Sequence, residues 1–386
     1  MAAGRPAASL DSIVRLAQRL VATPSCGGID LPEPVLRLIH GWFVEQGVPA
    51  RLLADAGGQA LAVLVEIAGA ASGPTLCLDA CIDTAPAGDA GQWHAPPFSA
   101  ALRDGRLFGR GAADSKSGVA ILAHVARQIA HDGLRRGTLH VLFDADEHTG
   151  RFGGVRAYLA DLARPPDAVS LGYPGNDAIV VGSRGFLRAK VRFAGKAAHS
   201  GAIERTGVNA LDKAAAFTLG VAQAAPPSEP DADFPFGPAA TVTHLDGGEG
   251  FSVVPDSATC HIDIRLTRAF DAATAAAWLD GLVRGVDPAG RIETVDSWPA
   301  YLVAADHRLV RSFAAAARAA FGRPLPTEVC GPSNIGNLLA ARGVPTICAP
   351  GVGFGNIHAA DEWADVGSMA PVHAMYVDAA RRFLEG

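Results

Sequence analysis

Asp114, the adjacent pair Glu147–His148 and His358 are the side chains of this chain best suited to chemistry. They offer two imidazoles and a carboxylate able to grip a divalent ion, with a second carboxylate free to move protons. A bound divalent ion lowers the pKa of its water to about 7, and a nearby carboxylate can take the proton as that water attacks a carbonyl. Such a set suffices to hydrolyse an amide at neutral pH. Each residue also has a plainer reading. An aspartate ahead of a helix is more often an N-cap than a ligand. His148 or His358 alone would more often be a partly buried structural histidine, and Glu147 could lie in a solvated turn.

The surrounding sequence predicts where these residues stand. Apolar runs at Leu61–Ile67, Thr75–Ala80, Thr138–Ala145 and Ala168–Gly172 alternate with helical patterns over Lys116–His131 and Val155–Ala163. Continuous apolar strands between helices indicate an α/β fold, a mainly parallel sheet flanked by helices. Ligands bind such sheets beyond the carboxyl ends of the strands, where Asp83, Asp114 and Glu147 fall. From about Gly185 the pattern changes to β-α-β-β-α-β, with helices over Asn209–Ala222 and Ala272–Val286. That order predicts an inserted α+β, ferredoxin-like domain with its helices on one face of an antiparallel sheet. The α/β pattern resumes with a helix over Asp306–Phe321, a strand at Pro345–Ala349 and a terminal helix over Met369–Phe383. The expected division is a catalytic domain of residues 1–184 and 297–386 around an insert of residues 185–296.

Bulk composition narrows the classes. The chain has 386 residues, 49% hydrophobic and 19% charged, with a net charge of −6. No basic field invites nucleic acid or an acidic membrane, and no apolar run approaches the ~18 residues of a membrane span. The first 25 residues read as an amphipathic helix capped at Ser9 or Asp11 rather than a signal peptide, so a cytoplasmic protein is expected. The six cysteines are scattered, without a C-x-x-C pair, and read as mostly buried free thiols. Ala224–Pro238 reads as an exposed connection.

Four segments carry a family resemblance: CIDTAPAG (Cys81–Gly88), DGRLFGRGAADSKSG (Asp104–Gly118), DADEHTG (Asp144–Gly150) and GNIHAADEW (Gly355–Trp363). In this order, and with KAAHSGAIERTGVNAL (Lys196–Leu211) in the insert, the chain resembles a metallohydrolase family nearly end to end. That family includes acetylornithine deacetylase, succinyl-diaminopimelate desuccinylase, aminoacylase-1 and carboxypeptidase G. The resemblance implies that Asp114 is the metal-bridging carboxylate, Glu147 the general base, His358 a terminal ligand and Asp83 the residue orienting the first-motif ligand. It implies that His199 reaches into a neighbouring subunit to stabilise the oxyanion. Cys81 stands where the family has its first histidine ligand, His148 where it has a second glutamate, Tyr173 where a carboxylate binds metal, and Ser252 where asparagine is frequent.

These departures fall unevenly. Asp114, His148 and His358 form an Asp-His-His set, and three protein ligands plus an open position is the catalytic zinc arrangement. Cys81, Asp114 and Tyr173 make a poor second site, because tyrosine binds metal weakly unless ionised, although a thiolate favours zinc. Cys81 reads equally well as a small apolar filler. The expectation is one zinc ion, with cobalt or manganese able to substitute and a second ion at Cys81 left open. Arg265 is read as a substrate-carboxylate holder or a structural strand arginine, and Asn209 as a second substrate-binding residue. The glycines of Pro350–Asn356 suit either a backbone approaching ligand or a tight connection. The implied activity is hydrolysis of a small N-acyl amino acid or short peptide by metal-bound water activated by Glu147, in a homodimer paired through the insert. The alternative is a degenerate member that binds a small ligand without hydrolysis.

Overall fold

The computed structural model describes residues 9–227 and 231–386. The first eight residues of the expected N-terminal helix, and residues 228–230 of the expected connection, lie outside the described residues. From Ser9 the helix forms as anticipated over Leu10–Val21, with the Ser9 hydroxyl accepting the Ser12 N–H at 3.3 Å. The chain forms two compact units. One runs to Val181 and resumes over Val303–Glu328 and Gly343–Gly386; the other comprises Gly182–Leu302 and Val329–Arg342.

The first unit is built on a mixed sheet in the order Arg51–Ala54, Ala60–Ala68, Arg136–Asp144, Ala71–Cys81, Ala168–Leu171, Thr346–Cys348. The last four strands are mutually parallel. Ala60–Ala68 runs antiparallel to both neighbours. The short turn Asp55–Gln59 can close only a hairpin, since a parallel pair needs a crossover of roughly a dozen residues or more. Burial is unbroken over Leu76–Cys81 and Leu139–Asp144. Strands covered on both faces lose polar alternation, which is why these segments read as continuous apolar runs. The helix Met369–Glu385 packs on both strands, while Glu33–Gln46 and Gly153–Asp161 pack on Ala60–Ala68.

Two further features aim the chemistry. The helix Ser117–Asp132 links two of the parallel strands, and a Cβ at Gly118 would lie 2.3 Å from the Gly172 carbonyl oxygen. Glycine therefore sets the approach of this helix to the strand ends and holds the preceding Asp114 segment over them. A small antiparallel sheet, not foreseen from sequence, orders Phe354–Gly355, Trp363–Asp365, Arg106–Phe108 and Ala101–Arg103. It lays the fourth motif beside the second.

The second unit has the β-α-β-β-α-β order, with strands Ala239–Gly247, Ser257–Leu266, Gly185–Ala194 and Arg291–Trp298 adjacent in that sequence and all antiparallel. Ser257–Leu266 alternates strictly between buried and partly exposed residues after its first position. Its inward residues join Phe217, Val221, Leu279 and Val283 from the helices Ala210–Gln223 and Ala272–Val286 in one core. Val329–Arg342, expected with the larger part, clusters here instead. The buried Asn337 amide donates to the carbonyls of Arg184 at 3.1 Å and Pro299 at 2.8 Å and so ties the segment in.

Candidate metal centre

Asp114 and His358 are separated by 244 residues, and one buried carboxylate brings their segments together. Glu362 Oε1 accepts the backbone N–H groups of Ala113 and Asp114, each at 3.0 Å. Its Oε2 pairs with Arg110 at 2.5 Å, with both side chains at most 2% exposed. Arg110 also donates to the carbonyls of Pro86 at 3.1 Å and Ala359 at 3.2 Å. The loop between the strands Phe354–Gly355 and Trp363–Asp365 thus closes on the second motif. In it Asn356, His358 and Asp361 adopt left-handed φ values of 55°, 61° and 55°. For a histidine this costs roughly 1–2 kcal/mol, a cost met by the anchors around it. Besides Arg110, these include His94, whose backbone N–H and Nδ1 meet the two Asp361 carboxylate oxygens at 2.9 and 2.5 Å.

Glu147 and His148 follow the strand Arg136–Asp144 in a turn closed by the Gly150 N–H on the Glu147 carbonyl at 2.8 Å. Asp83 receives this turn: Oδ1 accepts the Glu147 N–H at 3.1 Å and Oδ2 the His148 N–H at 3.0 Å. The Asp83 side chain therefore serves the third motif. The first-motif residue Cys81, which the resemblance gave it to orient, meets only the Asp83 carbonyl, at 3.8 Å.

The structure brings Asp114, His148 and His358 into one group, with ligand atoms all within 4.8 Å of one another. Asp114 Oδ2 lies 3.1 Å from His358 Nε2 and 3.6 Å from His148 Nε2. Tetrahedral zinc at ordinary bond lengths spaces its nitrogen and oxygen ligands by about 3.3 Å, so this donor set fits a zinc-sized ion. Charge is arranged for a cation as well. Burial opposes ionisation of both Asp114 and His148, yet each favours the charge of the other. Asp114, approached by His148 and His358, is held well below the usual carboxylate range. His148, facing Asp114, Asp83 and Glu147, is raised to about 11. Burial, opposed by His148, raises Glu147 to about 7, within reach of proton exchange at neutral pH.

Cys81 falls in a second group with Glu147 and His148. Its thiol is buried and pushed well up by that burial. The Tyr173 hydroxyl donates to Glu147 Oε1 at 2.9 Å. The Pro350–Asn356 glycines pack tightly, since Cβ atoms at Gly351 and Gly355 would meet the Tyr173 carbonyl oxygen and the Trp363 indole. The remaining expected residues lie in the second unit. Asn209 caps the helix Ala210–Gln223 through the Leu211 N–H at 3.0 Å. Arg265 pairs with Asp263 at 2.7 Å. His199 is exposed and accepts the Gly201 N–H on Nδ1 at 3.0 Å. Sequence reasoning gave no role to Arg110 or Glu362, although both lie inside the motifs it singled out.

Glu362→Gln removes the charge that Arg110 is buried against. We expect about 3–5 kcal/mol lower stability and roughly 10- to 100-fold weaker ion binding, read by denaturant unfolding and zinc titration. A folded variant with unchanged affinity would show that Glu362 does not set the ligand geometry.

Residues 77–382 match the family described as peptidase family M20/M25/M40. The chain is 29% identical over 310 residues to succinyl-diaminopimelate desuccinylase 1 of Alteromonas mediterranea, covering 77% of this chain and 78% of that one. It is 29% identical over 266 residues to acetylornithine deacetylase of Edwardsiella ictaluri, covering 66% and 68%. An M20 family metallo-carboxypeptidase from Sulfolobus solfataricus shares the fold with a TM-score of 0.78, at 17% identity over 97% of this chain and 99% of that one. The family match spans every motif from Cys81 to Trp363, and the chain belongs to peptidase family M20/M25/M40.

Proposed function

We propose that this protein hydrolyses the amide bond of a small N-acyl amino acid or short peptide, using one divalent ion held by Asp114, His148 and His358. Zinc suits the donor set best. The observation that carries the reading is the mutual approach of those ligand atoms, with Glu147 adjoining His148. When bound, the ion supplies positive charge that polarises the substrate carbonyl and acidifies water. Glu147 takes a proton from the attacking water as the new C–O bond forms at the carbonyl carbon. It returns that proton to the nitrogen as the C–N bond breaks, and its carboxylate is regenerated. Asp83 keeps Glu147 and His148 in place through their backbone N–H groups.

The relatives named as a desuccinylase and a deacetylase support an acylated amine as substrate. The intact base and complete ligand set argue against a degenerate binding protein. We assign the second unit a lid and pairing role, with His199 acting on the site of a second copy. Because His199 Nδ1 accepts a hydrogen bond, its proton sits on Nε2, which is free to donate to an oxyanion; such a donor contributes about 3 kcal/mol. Six free cysteines suit a reducing cytoplasm. Among the described residues no helix is long and apolar enough to cross a membrane.

Glu147→Gln should lower kcat by about 10²- to 10⁴-fold while zinc content stays at one equivalent. Parallel loss of zinc and turnover would make Glu147 a ligand, as its place beside Cys81 and His148 permits. Co-expressing Glu147→Gln with His199→Ala tests the pairing. If His199 acts across subunits, mixed dimers carry one intact site and restore about a quarter of native activity. Absence of recovery in isolated mixed dimers would place His199 in its own chain's chemistry, and full activity of His199→Ala alone would place it outside the chemistry.

A further inference from the structure

Tyr173 follows the strand Ala168–Leu171, and its hydroxyl donates to Glu147 Oε1 at 2.9 Å. The other oxygen, Oε2, has the 3.3 Å approach of His148 Nδ1. The backbone that presents Tyr173 is clamped on two sides. The preceding Gly172 N–H donates to the Asp79 carbonyl at 2.7 Å. A Cβ at Gly351 would sit 2.0 Å from the Tyr173 carbonyl oxygen, so the loop after Thr346–Cys348 lies directly on it. A side chain held this firmly can fix the group it bonds.

A phenol donating its hydrogen to a carboxylate is a neutral neighbour and leaves little for a cation. The phenol is spent on Glu147, and the buried Cys81 thiol lines the same side of the centre. We propose that Tyr173 is a positioning residue: it fixes the Glu147 carboxylate through Oε1, leaves Oε2 to accept the proton, and with Cys81 closes the place beside Glu147 to a second cation. The positioning half rests on reading Glu147 as the base; the closing half does not. Replacing the phenol by a carboxylate would place a second anionic oxygen donor next to the Cys81–Glu147–His148 group and open that place.

The test compares native protein, Tyr173→Phe and Tyr173→Glu, each confirmed folded, by zinc titration calorimetry with elemental analysis and by turnover on N-acetyl and N-succinyl amino acids and a dipeptide. Native protein and Tyr173→Phe should each bind one zinc equivalent, and Tyr173→Glu should bind two. Tyr173→Phe should lose about 10- to 100-fold in kcat with KM within about twofold, as a misplaced base does. An unchanged kcat in Tyr173→Phe overturns the positioning role. Two equivalents in native protein, or one in Tyr173→Glu, overturns the closing role. If native protein cleaves neither an acyl amino acid nor a dipeptide, the functional reading falls, and the zinc equivalents of Tyr173→Glu still decide whether Tyr173 closes the second position.

Discussion

The centre depends on one buried ion pair. Glu362 grips the Asp114 segment by its backbone while belonging to the loop that carries His358. Its two oxygens do different work: one collects the N–H groups of Ala113 and Asp114, the other neutralises Arg110. Neither partner tolerates loss of the other, because an unpaired charge at that depth costs several kcal/mol. The pair thus converts two distant motifs into one rigid ligand frame. It also anchors a loop whose left-handed His358 would otherwise relax.

Around that frame the charges are arranged to receive a cation. Asp83 and Asp114 face His148 and favour its charged form. Behind Glu147, burial pushes the carboxyls of Asp79 and Asp144 up, which limits further negative charge at the strand ends. Tyr173 and Cys81 complete the lining on the Glu147 side. In the proposed reading this is a centre with one cationic position and a base at its edge.

Much of this was legible in the sequence. Unbroken apolar runs marked the doubly covered strands, alternation marked Ser257–Leu266, and the order of the motifs marked Asp114, Glu147, His148 and His358 as a set. What stayed hidden were partnerships. Arg110 and Glu362 were visible as residue types, but a bond across 252 positions leaves no local signature. Asp83 was credited to its near neighbour Cys81, whereas the turn it receives comes from the adjacent strand end. Tyr173 looked like the loss of a ligand, and only its hydroxyl's direction reveals a bond to the base. The small sheet escaped notice because its strands are two or three residues long, too short for periodicity to register.

The most direct test is X-ray absorption at the zinc K-edge of protein loaded with a single equivalent. A shell of nitrogen and oxygen at about 2.0–2.1 Å, with imidazole scattering from two histidines and no sulfur, is what an Asp114–His148–His358 centre predicts. A zinc–sulfur distance of about 2.3 Å would place the ion at Cys81 and contradict it.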